Sequence, residues 1–203
     1  MAPQVTILDY GLGNIHSIAN ALRACDALPT LSADPEAVAK ADRLILPGVG
    51  AFPAGMKGLQ ERGLVEPLKQ AAREGKPLIG ICLGMQLLFE SSDEMGKTAG
   101  LGLLPGRVTR IAGNGLKVPH MGWNQLDVVR DHLLVSDLIP GSYAYFVHSY
   151  AIYPEDQTIV LATTDYGGPF ASIVGRSNVC GLQFHPEKSQ AVGLKLLRNF
   201  LNL

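Results

Sequence analysis

A cysteine lies between two glycines in Gly80-Ile81-Cys82-Leu83-Gly84, after the β-rich run Leu78–Ile81 and before the helix-like run Met85–Phe89. A nucleophile elbow has the pattern G-x-S-x-G at a strand-to-helix turn, and here cysteine takes the place of serine. The helix N-terminus would favour thiolate over thiol at this position. The alternative is a buried cysteine between two packing glycines, since so short a pattern also arises by chance.

The stretch His185-Pro186-Glu187 follows another β-rich run, Val179–Phe184. A thiolate nucleophile needs a base, and the base needs a group that orients it. Residues i and i+2 of an extended segment point to one side, and the proline disfavours helical geometry at His185. The sequence therefore predicts a His185–Glu187 pair at a strand end, where open α/β sheets keep reactive groups. The alternative is a surface loop with a solvated glutamate.

A glycine-rich turn, Pro47-Gly48-Val49-Gly50, follows the predicted strand Arg43–Leu46. Such a turn can aim backbone N–H groups at a developing oxyanion, and Leu83, directly after the cysteine, would supply a further N–H. Without Cys82 the same stretch would be an ordinary βα turn.

The elements that must position these residues alternate between strand and helix in the first half of the chain. Predicted strands are Val5–Leu8, Arg43–Leu46 and Leu78–Ile81, and predicted helices are Asn14–Leu28 and Leu64–Arg73. This alternation predicts the α/β class, with a parallel sheet and helices on both faces.

After about Gly96 short β-rich runs replace the helices, which predicts a mixed or antiparallel extension of the same sheet. These runs are Arg107–Ile111, Gln125–Val129, Tyr143–Ile152, Ile159–Thr164, Phe170–Val174 and Val179–Phe184. A last helix is predicted over Gln190–Leu201, with Ser189 as its N-cap. No linker-like segment separates the halves, so residues 1–203 are expected to form a single domain.

Composition excludes several classes of function. The 203 residues include 17 Lys and Arg and 18 Asp and Glu, and a net charge of −1 argues against nucleic-acid binding driven by charge. No apolar stretch approaches the ~18 residues of a membrane span, and the N-terminus does not read as a signal peptide. The three cysteines cannot all pair, which predicts reduced thiols in the cytoplasm. Neither metal-ligand spacing nor a complete nucleotide-binding fingerprint is present, so no metal and no cofactor is expected.

Taken together, the motifs resemble those of the class I (triad) glutamine amidotransferases, through the stretch from Gly80 to Gln86 and the pattern His185-x-Glu187. More narrowly, the chain is similar, essentially end to end, to the glutaminase subunits of imidazole glycerol phosphate synthase. The stretches that carry this narrower resemblance are Asp9–Ile15, Pro47–Phe52, Lys117–Asn124, Tyr145–Tyr150 and Gln183–Ser189.

The resemblance implies a three-layer open sheet and a role for each matching residue. Cys82 would form a thioester with the glutamine carboxamide, His185 would move protons, and Glu187 would orient His185. The backbone N–H groups near Val49 and Gly50 and that of Leu83 would form the oxyanion hole. The amino-acid end of glutamine would be held by Gln86, Glu94, His148 and Ser149.

The resemblance also implies a heterodimer with a cyclase subunit, which uses the ammonia to form imidazole glycerol phosphate and AICAR from PRFAR in histidine biosynthesis. That subunit is a (β/α)₈ barrel, which needs about 250 residues and so must be another chain. Trp123, Asn124 and Lys188 would face it. Glutaminase activity is expected to stay weak until the cyclase binds its nucleotide, because Val49 can hold its peptide with the carbonyl towards the thioester.

Two alternatives remain at this stage. One is a glutaminase for another biosynthetic partner, such as that of anthranilate or pyridoxal phosphate synthesis, against which the stretch 117–124 argues. The other is a non-catalytic α/β redox or interaction protein, which would have no need for His185 and Glu187 together.

Overall fold

The computed structural model describes residues 2–203 of the chain. The strands are β1 (Gln4–Leu8), β2 (Leu28–Ser32), β3 (Leu44–Leu46), β4 (Leu78–Ile81), β5 (Phe89–Ser92), β6 (Thr98–Ala99), β7 (Leu104–Arg110), β8 (His120–Gln125), β9 (Asp127–Val128), β10 (Tyr143–His148), β11 (Tyr150–Pro154), β12 (Val160–Asp165), β13 (Pro169–Arg176) and β14 (Val179–Leu182). The helices are α1 (Ile15–Arg23), α2 (Pro35–Lys40), α3 (Phe52–Glu61), α4 (Val65–Arg73), α5 (Leu83–Leu87) and α6 (Gln190–Leu201). Short 3-10 turns cover Leu133–Val135, Gln157–Ile159 and Pro186–Lys188.

The largest sheet has eight strands in the order β2-β1-β3-β4-β14-β13-β12-β9. Its first five strands run parallel, and β13, β12 and β9 extend it in antiparallel fashion. The parallel core and the antiparallel extension match the sequence prediction. Because β3, β4 and β14 are neighbours and parallel, their carboxyl ends lie side by side at one edge of the sheet.

The central strands are apolar throughout because both faces of the sheet are covered. In β4, Ile79 and Ile81 pack in one buried cluster with α1 and α6, whereas Leu78 packs in a second cluster with α3, α4 and α5. Successive side chains of a strand point to opposite faces, so a strand buried on both sides needs an unbroken apolar run. The result is the three-layer α/β architecture that the alternation of elements predicted.

The first helix is shorter than the predicted span Asn14–Leu28. Its buried face carries Ile18, Ala19 and Leu22 as expected, but α1 ends at Arg23. Asp26 then takes a positive φ of 61°, which turns the chain out of the helix and lets Leu28 begin strand β2. Apolar spacing alone did not reveal this turn.

The prediction of one continuous extension of the sheet was wrong for part of the second half. The run Tyr143–Ile152 is two strands, because β10 pairs with β8 whereas β11 pairs with β7. The run Arg107–Ile111 belongs to β7, in a separate four-stranded sheet of order β11-β7-β5-β6. The chain changes partner at Ser149, whose carbonyl accepts the backbone N–H of Ile111.

Two further boundaries differ from the sequence prediction. The run Gln125–Val129 is divided at Leu126, which is buried and donates its N–H to the Ser142 carbonyl, so that β8 ends before it and β9 pairs with β12. The predicted helix Met85–Phe89 is α5, which ends at Leu87. Phe89 instead opens β5, which pairs in parallel with β7.

Candidate active site

Cys82 lies at the turn between β4 and α5, in a backbone conformation that few side chains adopt (φ 54°, ψ −112°). A Cβ on Gly84 would lie 1.8 Å from the Leu46 carbonyl oxygen, and one on Gly80 would lie 2.6 Å from the backbone of Gly84. Both flanking glycines are therefore required for strand and helix to approach. This is the elbow geometry that the pentapeptide predicted, and it raises the cysteine at the carboxyl end of its strand.

His185 and Glu187 form a buried pair next to this elbow. His185 Nδ1 and Glu187 Oε1 are 2.9 Å apart, and the two side chains are 3% and 0% exposed. Asn14 Nδ2 donates to the same Oε1 at 3.3 Å. His185 Nε2, on the other side of the ring, is buried and has no hydrogen-bond partner among residues 2–203, so it is available to the cavity.

The chain brings His185 and Glu187 together by a turn and not by an extended segment. His185 itself is extended (φ −96°, ψ 100°), as expected before a proline, but a 3-10 turn begins at Pro186. Ser189 occupies the position before α6, yet its hydroxyl does not cap that helix. It donates to the His185 carbonyl at 2.7 Å and accepts the N–H of Tyr145 at 3.0 Å, which fixes this turn against β10.

The surroundings of His185 favour its charged form. Burial alone lowers the pKa of His185, but interactions with the Cys82 thiol and the Glu187 carboxylate outweigh burial and raise it to about 9. If Nδ1 donates to the carboxylate, Nε2 carries the proton of the imidazolium towards the cavity. A thiolate paired with an imidazolium is the arrangement that a cysteine nucleophile needs.

The glycine-rich turn after β3 lies beside the elbow and is held in place by a hydrogen bond from Tyr10. Tyr10, which is buried, donates its hydroxyl to the Pro47 carbonyl at 2.6 Å, and burial raises the pKa of this phenol, so it stays a donor. Gly48 has no room for a side chain against Tyr10 and Leu83. Within residues 2–203 no protein acceptor takes the backbone N–H groups of Val49, Gly50 and Leu83. These N–H groups can therefore serve an oxyanion.

A cavity of about 280 Å³ joins these parts. It is lined by Val49, Gly50, Cys82, Leu83, Gln86, Glu94, Pro119, Val147, His148, Ser149, Tyr150 and His185. All four residues expected to hold the amino-acid end of glutamine are among them. Three of these already have protein partners. Gln86 donates to the Tyr150 carbonyl at 2.9 Å, and Glu94 accepts the N–H of Phe52 at 2.7 Å. His148 lies 2.8 Å from the Tyr150 carbonyl oxygen and 2.9 Å from His120 Nδ1.

The three residues expected at a partner interface separate into two groups. Trp123 is 47% exposed, and its ring meets the Tyr145 ring edge-on with centroids 6.0 Å apart. Lys188 Nζ lies 5.7 Å from the same Tyr145 ring. Asn124, the next residue of β8, points to the opposite face of the strand, where Nδ2 donates to the Asp165 carbonyl at 2.8 Å. Trp123 and Lys188 thus share one surface through Tyr145, and the Asn124 side chain lies elsewhere.

Sequence reasoning missed several residues of this site. Asn14 and Gln183 stand in the stretches that carried the family resemblance, but no role was assigned to them. In the structure Gln183 is fully buried, accepts from Gln86 Nε2 at 3.1 Å, and places its own Nε2 at 3.9 Å from Cys82 Sγ. A polar residue within the otherwise apolar run Val179–Phe184 was the signal that could have identified it.

Metal-ligand clusters and membrane-spanning helices are both absent from residues 2–203. No group of three or more His, Cys, Asp or Glu side chains there could hold a metal ion. None of the helices in that range has the length and apolarity needed to cross a membrane.

Comparison with known proteins gives a consistent result. The family model of class-I glutamine amidotransferases matches residues 6–203. The chain is 51% identical to the imidazole glycerol phosphate synthase subunit HisH of Symbiobacterium thermophilum, with 97% of this chain and 92% of that protein covered. It is 48% identical to the HisH subunit of Syntrophotalea carbinolica, with 97% and 98% covered.

The solved structures support the fold. The structure of PurLQS from Thermotoga maritima contains a chain that matches with a TM-score of 0.78 at 22% identity, covering all of this chain and 99% of that one.

Proposed function

The chain belongs to the class-I glutamine amidotransferase family, and on that premise we propose that it is the glutaminase subunit of an imidazole glycerol phosphate synthase. The observation that carries the proposal is the grouping of Cys82, the His185–Glu187 pair and the glycine-rich turn around one cavity, at the carboxyl ends of three adjacent parallel strands. The chain is 51% and 48% identical to two HisH subunits over 97% of its length, which supports the choice of reaction.

In the first half of the reaction the Cys82 thiolate attacks the side-chain carbonyl carbon of glutamine. The resulting oxyanion accepts hydrogen bonds from the backbone N–H groups of Val49 and Leu83 and, once the Val49–Gly50 peptide is turned, from that of Gly50. The imidazolium of His185 gives its proton to the leaving nitrogen, the C–N bond breaks, and ammonia departs. A thioester between Cys82 and the γ-glutamyl group remains.

In the second half the neutral His185 takes a proton from water as the hydroxide adds to the thioester carbonyl. The tetrahedral intermediate collapses, glutamate leaves, and the thiolate–imidazolium pair is restored. Glu187 accepts from His185 Nδ1 throughout, which keeps Nε2 directed at the reacting atoms. Each cycle consumes one glutamine and one water and yields one glutamate and one ammonia.

Ammonia then passes to a cyclase subunit, a (β/α)₈ barrel on a separate chain, which forms imidazole glycerol phosphate and AICAR from PRFAR in histidine biosynthesis. The exposed Trp123 and Lys188, which both lie next to the Tyr145 ring, support a docking face there. We further propose that residues 1–203 act as one domain in the cytoplasm, where unpaired cysteines such as Cys25, Cys82 and Cys180 persist.

We also propose that the free subunit is a poor glutaminase. Val49 is 40% exposed at the mouth of the cavity, while Pro47 in the same turn is held by Tyr10. The turn is therefore fixed at Pro47 and open to solvent at Val49. Rotation of the Val49–Gly50 peptide can present either the Val49 carbonyl or the Gly50 N–H group to the thioester. Binding of the cyclase and its nucleotide selects the N–H orientation.

The test is glutamate release from glutamine by the purified chain, measured alone, with a cyclase subunit, and with the cyclase plus its nucleotide ligand. Strong stimulation only in the last condition is expected. A synthase component from anthranilate biosynthesis serves as the mismatched partner and should give no stimulation. Equal turnover by the free chain and the liganded complex would contradict the gating, and stimulation by the mismatched partner would contradict the assignment of the reaction.

A further inference from the structure

A row of hydrogen-bonded side chains leads from strand β8 to the glutamine cavity. Asn124 Nδ2 lies 3.2 Å from His120 Nε2, His120 Nδ1 lies 2.9 Å from His148 Nε2, and His148 Nδ1 lies 2.8 Å from the Tyr150 carbonyl oxygen. His148 and Tyr150 line the cavity, whereas Asn124 and His120 do not. Neither histidine of this row belongs to the triad.

The cavity end of the row fixes the direction of its hydrogen bonds. A carbonyl oxygen can only accept, so His148 Nδ1 must carry a hydrogen and donate to Tyr150. In a neutral ring Nε2 of His148 is then an acceptor, and His120 Nδ1 must be the donor to it. His120 Nε2 is left as an acceptor, which requires a donor from Asn124.

The outer end of the row supplies that donor independently. Asn124 Oδ1 accepts the backbone N–H of Gln125 at 2.8 Å, and Nδ2 donates to the Asp165 carbonyl at 2.8 Å. These two backbone groups determine which end of the Asn124 amide is nitrogen, and the second hydrogen of Nδ2 points to His120. Both ends of the row therefore demand the same direction.

Both histidines are neutral, as these donor and acceptor assignments require. They are 2% and 6% exposed, and His120 stacks on Tyr166 with ring centroids 4.0 Å apart. Burial lowers the pKa of His120 and that of His148 to about 4. The neighbouring His120 and His185 lower the pKa of His148 further, against the hydrogen bond to the Tyr150 carbonyl, which raises it.

Beyond Tyr150 the hydrogen bonds continue to the nucleophile. Gln86 uses both hydrogens of its amide, one for the Tyr150 carbonyl at 2.9 Å and one for Gln183 Oε1 at 3.1 Å. Gln183 Nε2 is thereby turned to Cys82 Sγ at 3.9 Å, the distance of a weak N–H···S hydrogen bond. The Tyr150 carbonyl thus receives one donor from each side, His148 and Gln86.

We propose that Asn124 and His120 are positioning residues, which hold His148 in the Nδ1–H tautomer so that it fixes the Tyr150 carbonyl in the wall of the glutamine cavity. This inference rests on the proposed function for its role in glutamine binding. Asn124 and His148 together set the tautomer of His120, and His120 occupies the only acceptor nitrogen of His148. Loss of the His120 donor leaves a buried nitrogen unpaired and frees the ring of His148 to rotate away from Tyr150.

The first test measures tautomers directly, by ¹⁵N imidazole NMR on the purified full chain. With five histidines in the sequence, single His→Gln variants suffice to assign the signals. Protonated Nδ1 and unprotonated Nε2 are expected in both His120 and His148. Protonation at Nε2 in either ring would overturn the inference. The Asn124→Ala variant should give a mixture of tautomers at His120, and the matched Gln125→Ala variant should not.

The second test measures glutamine turnover in the complex with saturating cyclase and nucleotide. His120→Phe keeps the aromatic stack but removes the donor, and about a tenfold rise in KM for glutamine is expected, with a smaller change in kcat. His120→Asn places an amide N–H where Nδ1 was and should restore KM to within about twofold of the wild-type value. Equal KM for wild type and His120→Phe, or no difference between the two variants, would overturn the role.

The two proposals fail differently. If the wild-type complex releases no glutamate, the proposed function fails, and the tautomers of His120 and His148 still test the row of hydrogen bonds. If the wild-type complex is active and the two His120 variants have the same KM for glutamine, the positioning role fails and the proposed function stands. If His120→Phe does not fold, the tautomers of the wild-type chain decide.

Discussion

His185 lies between two groups that can carry negative charge, the Cys82 sulfur and the Glu187 carboxylate. An isolated imidazolium would be costly to bury, but its interactions with the Glu187 carboxylate and the Cys82 sulfur offset that cost. The ring therefore keeps its proton at neutral pH, where the pKa of about 9 leaves it charged. A histidine that is already protonated can serve the leaving ammonia without a preceding proton transfer from solvent.

The fall in activity at high pH should follow the loss of the His185 proton. As pH rises through about 9 the imidazolium is lost, so kcat/KM for glutamine in the liganded complex should fall. In Glu187→Gln the carboxylate charge that raises the pKa of His185 is gone, and the alkaline limb should move to lower pH. The pH profile of glutamate release measures this shift. Glu61→Gln, which changes an exposed carboxylate of α3, is the matched control and should leave the limb in place. An unchanged limb in Glu187→Gln would refute the role of this pair.

The same pair contributes to stability in the opposite pH sense to a carboxylate whose pKa is lowered on folding. Because the folded-state pKa of His185 is raised above its ordinary value of 6.5, the contribution is fully present below about 6.5 and is lost as pH rises through about 9.

Removal of the nucleophile should separate the two reactions of the complex. Cys82→Ala is expected to abolish glutamine-dependent product formation and to leave formation from added ammonia intact, since the cyclase chemistry does not use the thiol. Product formation measured with glutamine and then with an ammonium salt gives both values. Cys25→Ala, a second buried cysteine outside the cavity, should retain both activities. Loss of both activities in Cys82→Ala would mean that the cysteine is needed for folding or for assembly of the complex with the cyclase.

At the residue scale, sequence reasoning found the groups whose type and local spacing are distinctive. Cys82 stands between glycines, and His185 and Glu187 are two positions apart. It assigned no role to Gln183 or to Asn14, because each acquires its contact only through folding: Gln183 meets Gln86 across 97 residues, and Asn14 meets Glu187 across 173. A single amide in a sequence carries no sign of such a partner.

At the scale of elements, the turn between β4 and α5 stores backbone strain at Cys82. A non-glycine residue at a positive φ of 54° with ψ −112° is unfavourable, and the packing of β4 against α5 holds it there. The flanking glycines make this packing possible, since neither tolerates a Cβ. This strained conformation directs the thiol into the cavity, whereas a regular strand conformation would bury it in the sheet.

Relief of that strain should be measurable. Cys82→Gly is expected to be more stable than Cys82→Ala by about 1 kcal/mol, because glycine adopts the elbow conformation without penalty and this gain exceeds its cost in the unfolded chain. Urea denaturation of the two variants gives the difference in free energy of unfolding. Ala54→Gly on the exposed face of α3 is the control and should lose about 1 kcal/mol. A Cys82→Gly protein less stable than Cys82→Ala would show that the elbow is unstrained.

Elements were predictable where burial leaves a continuous signature. The fully buried β3 and β4 were recognised from unbroken apolar runs. The edge strand β2 was missed because Leu28 and Leu31 are exposed, so no apolar pattern marks it. The exchange of partners at Ser149 was missed for another reason: nothing local distinguishes one long strand from two strands in different sheets.

At the scale of the whole molecule, the second half of the chain contributes both an exposed face and a buried row of hydrogen bonds. Strand β8 alternates between them: Met121 and Trp123 are exposed on one face, and His120 and Asn124 serve the hydrogen-bond row on the other. The period of two in a strand thus places the proposed docking residue Trp123 and the proposed positioning residue Asn124 next to each other in sequence.

The exposed face should govern assembly with the cyclase and not the stability of the free chain. Trp123→Ala is expected to weaken binding of the cyclase by about 10- to 100-fold, since exposed tryptophans are common anchors of interfaces. Lys188→Ala, which removes the cation near the Tyr145 ring, should weaken it less. Dissociation constants by titration calorimetry measure both effects.

Leu31→Ala is the matched control, because it removes a half-exposed apolar side chain from β2 at the edge of the main sheet. It should leave the dissociation constant unchanged. The Tm of free Trp123→Ala should stay close to that of the wild type, because nearly half of the indole is already in solvent. A large fall in Tm with unchanged affinity would instead assign Trp123 to the packing of β8 on β10 and move the docking face elsewhere.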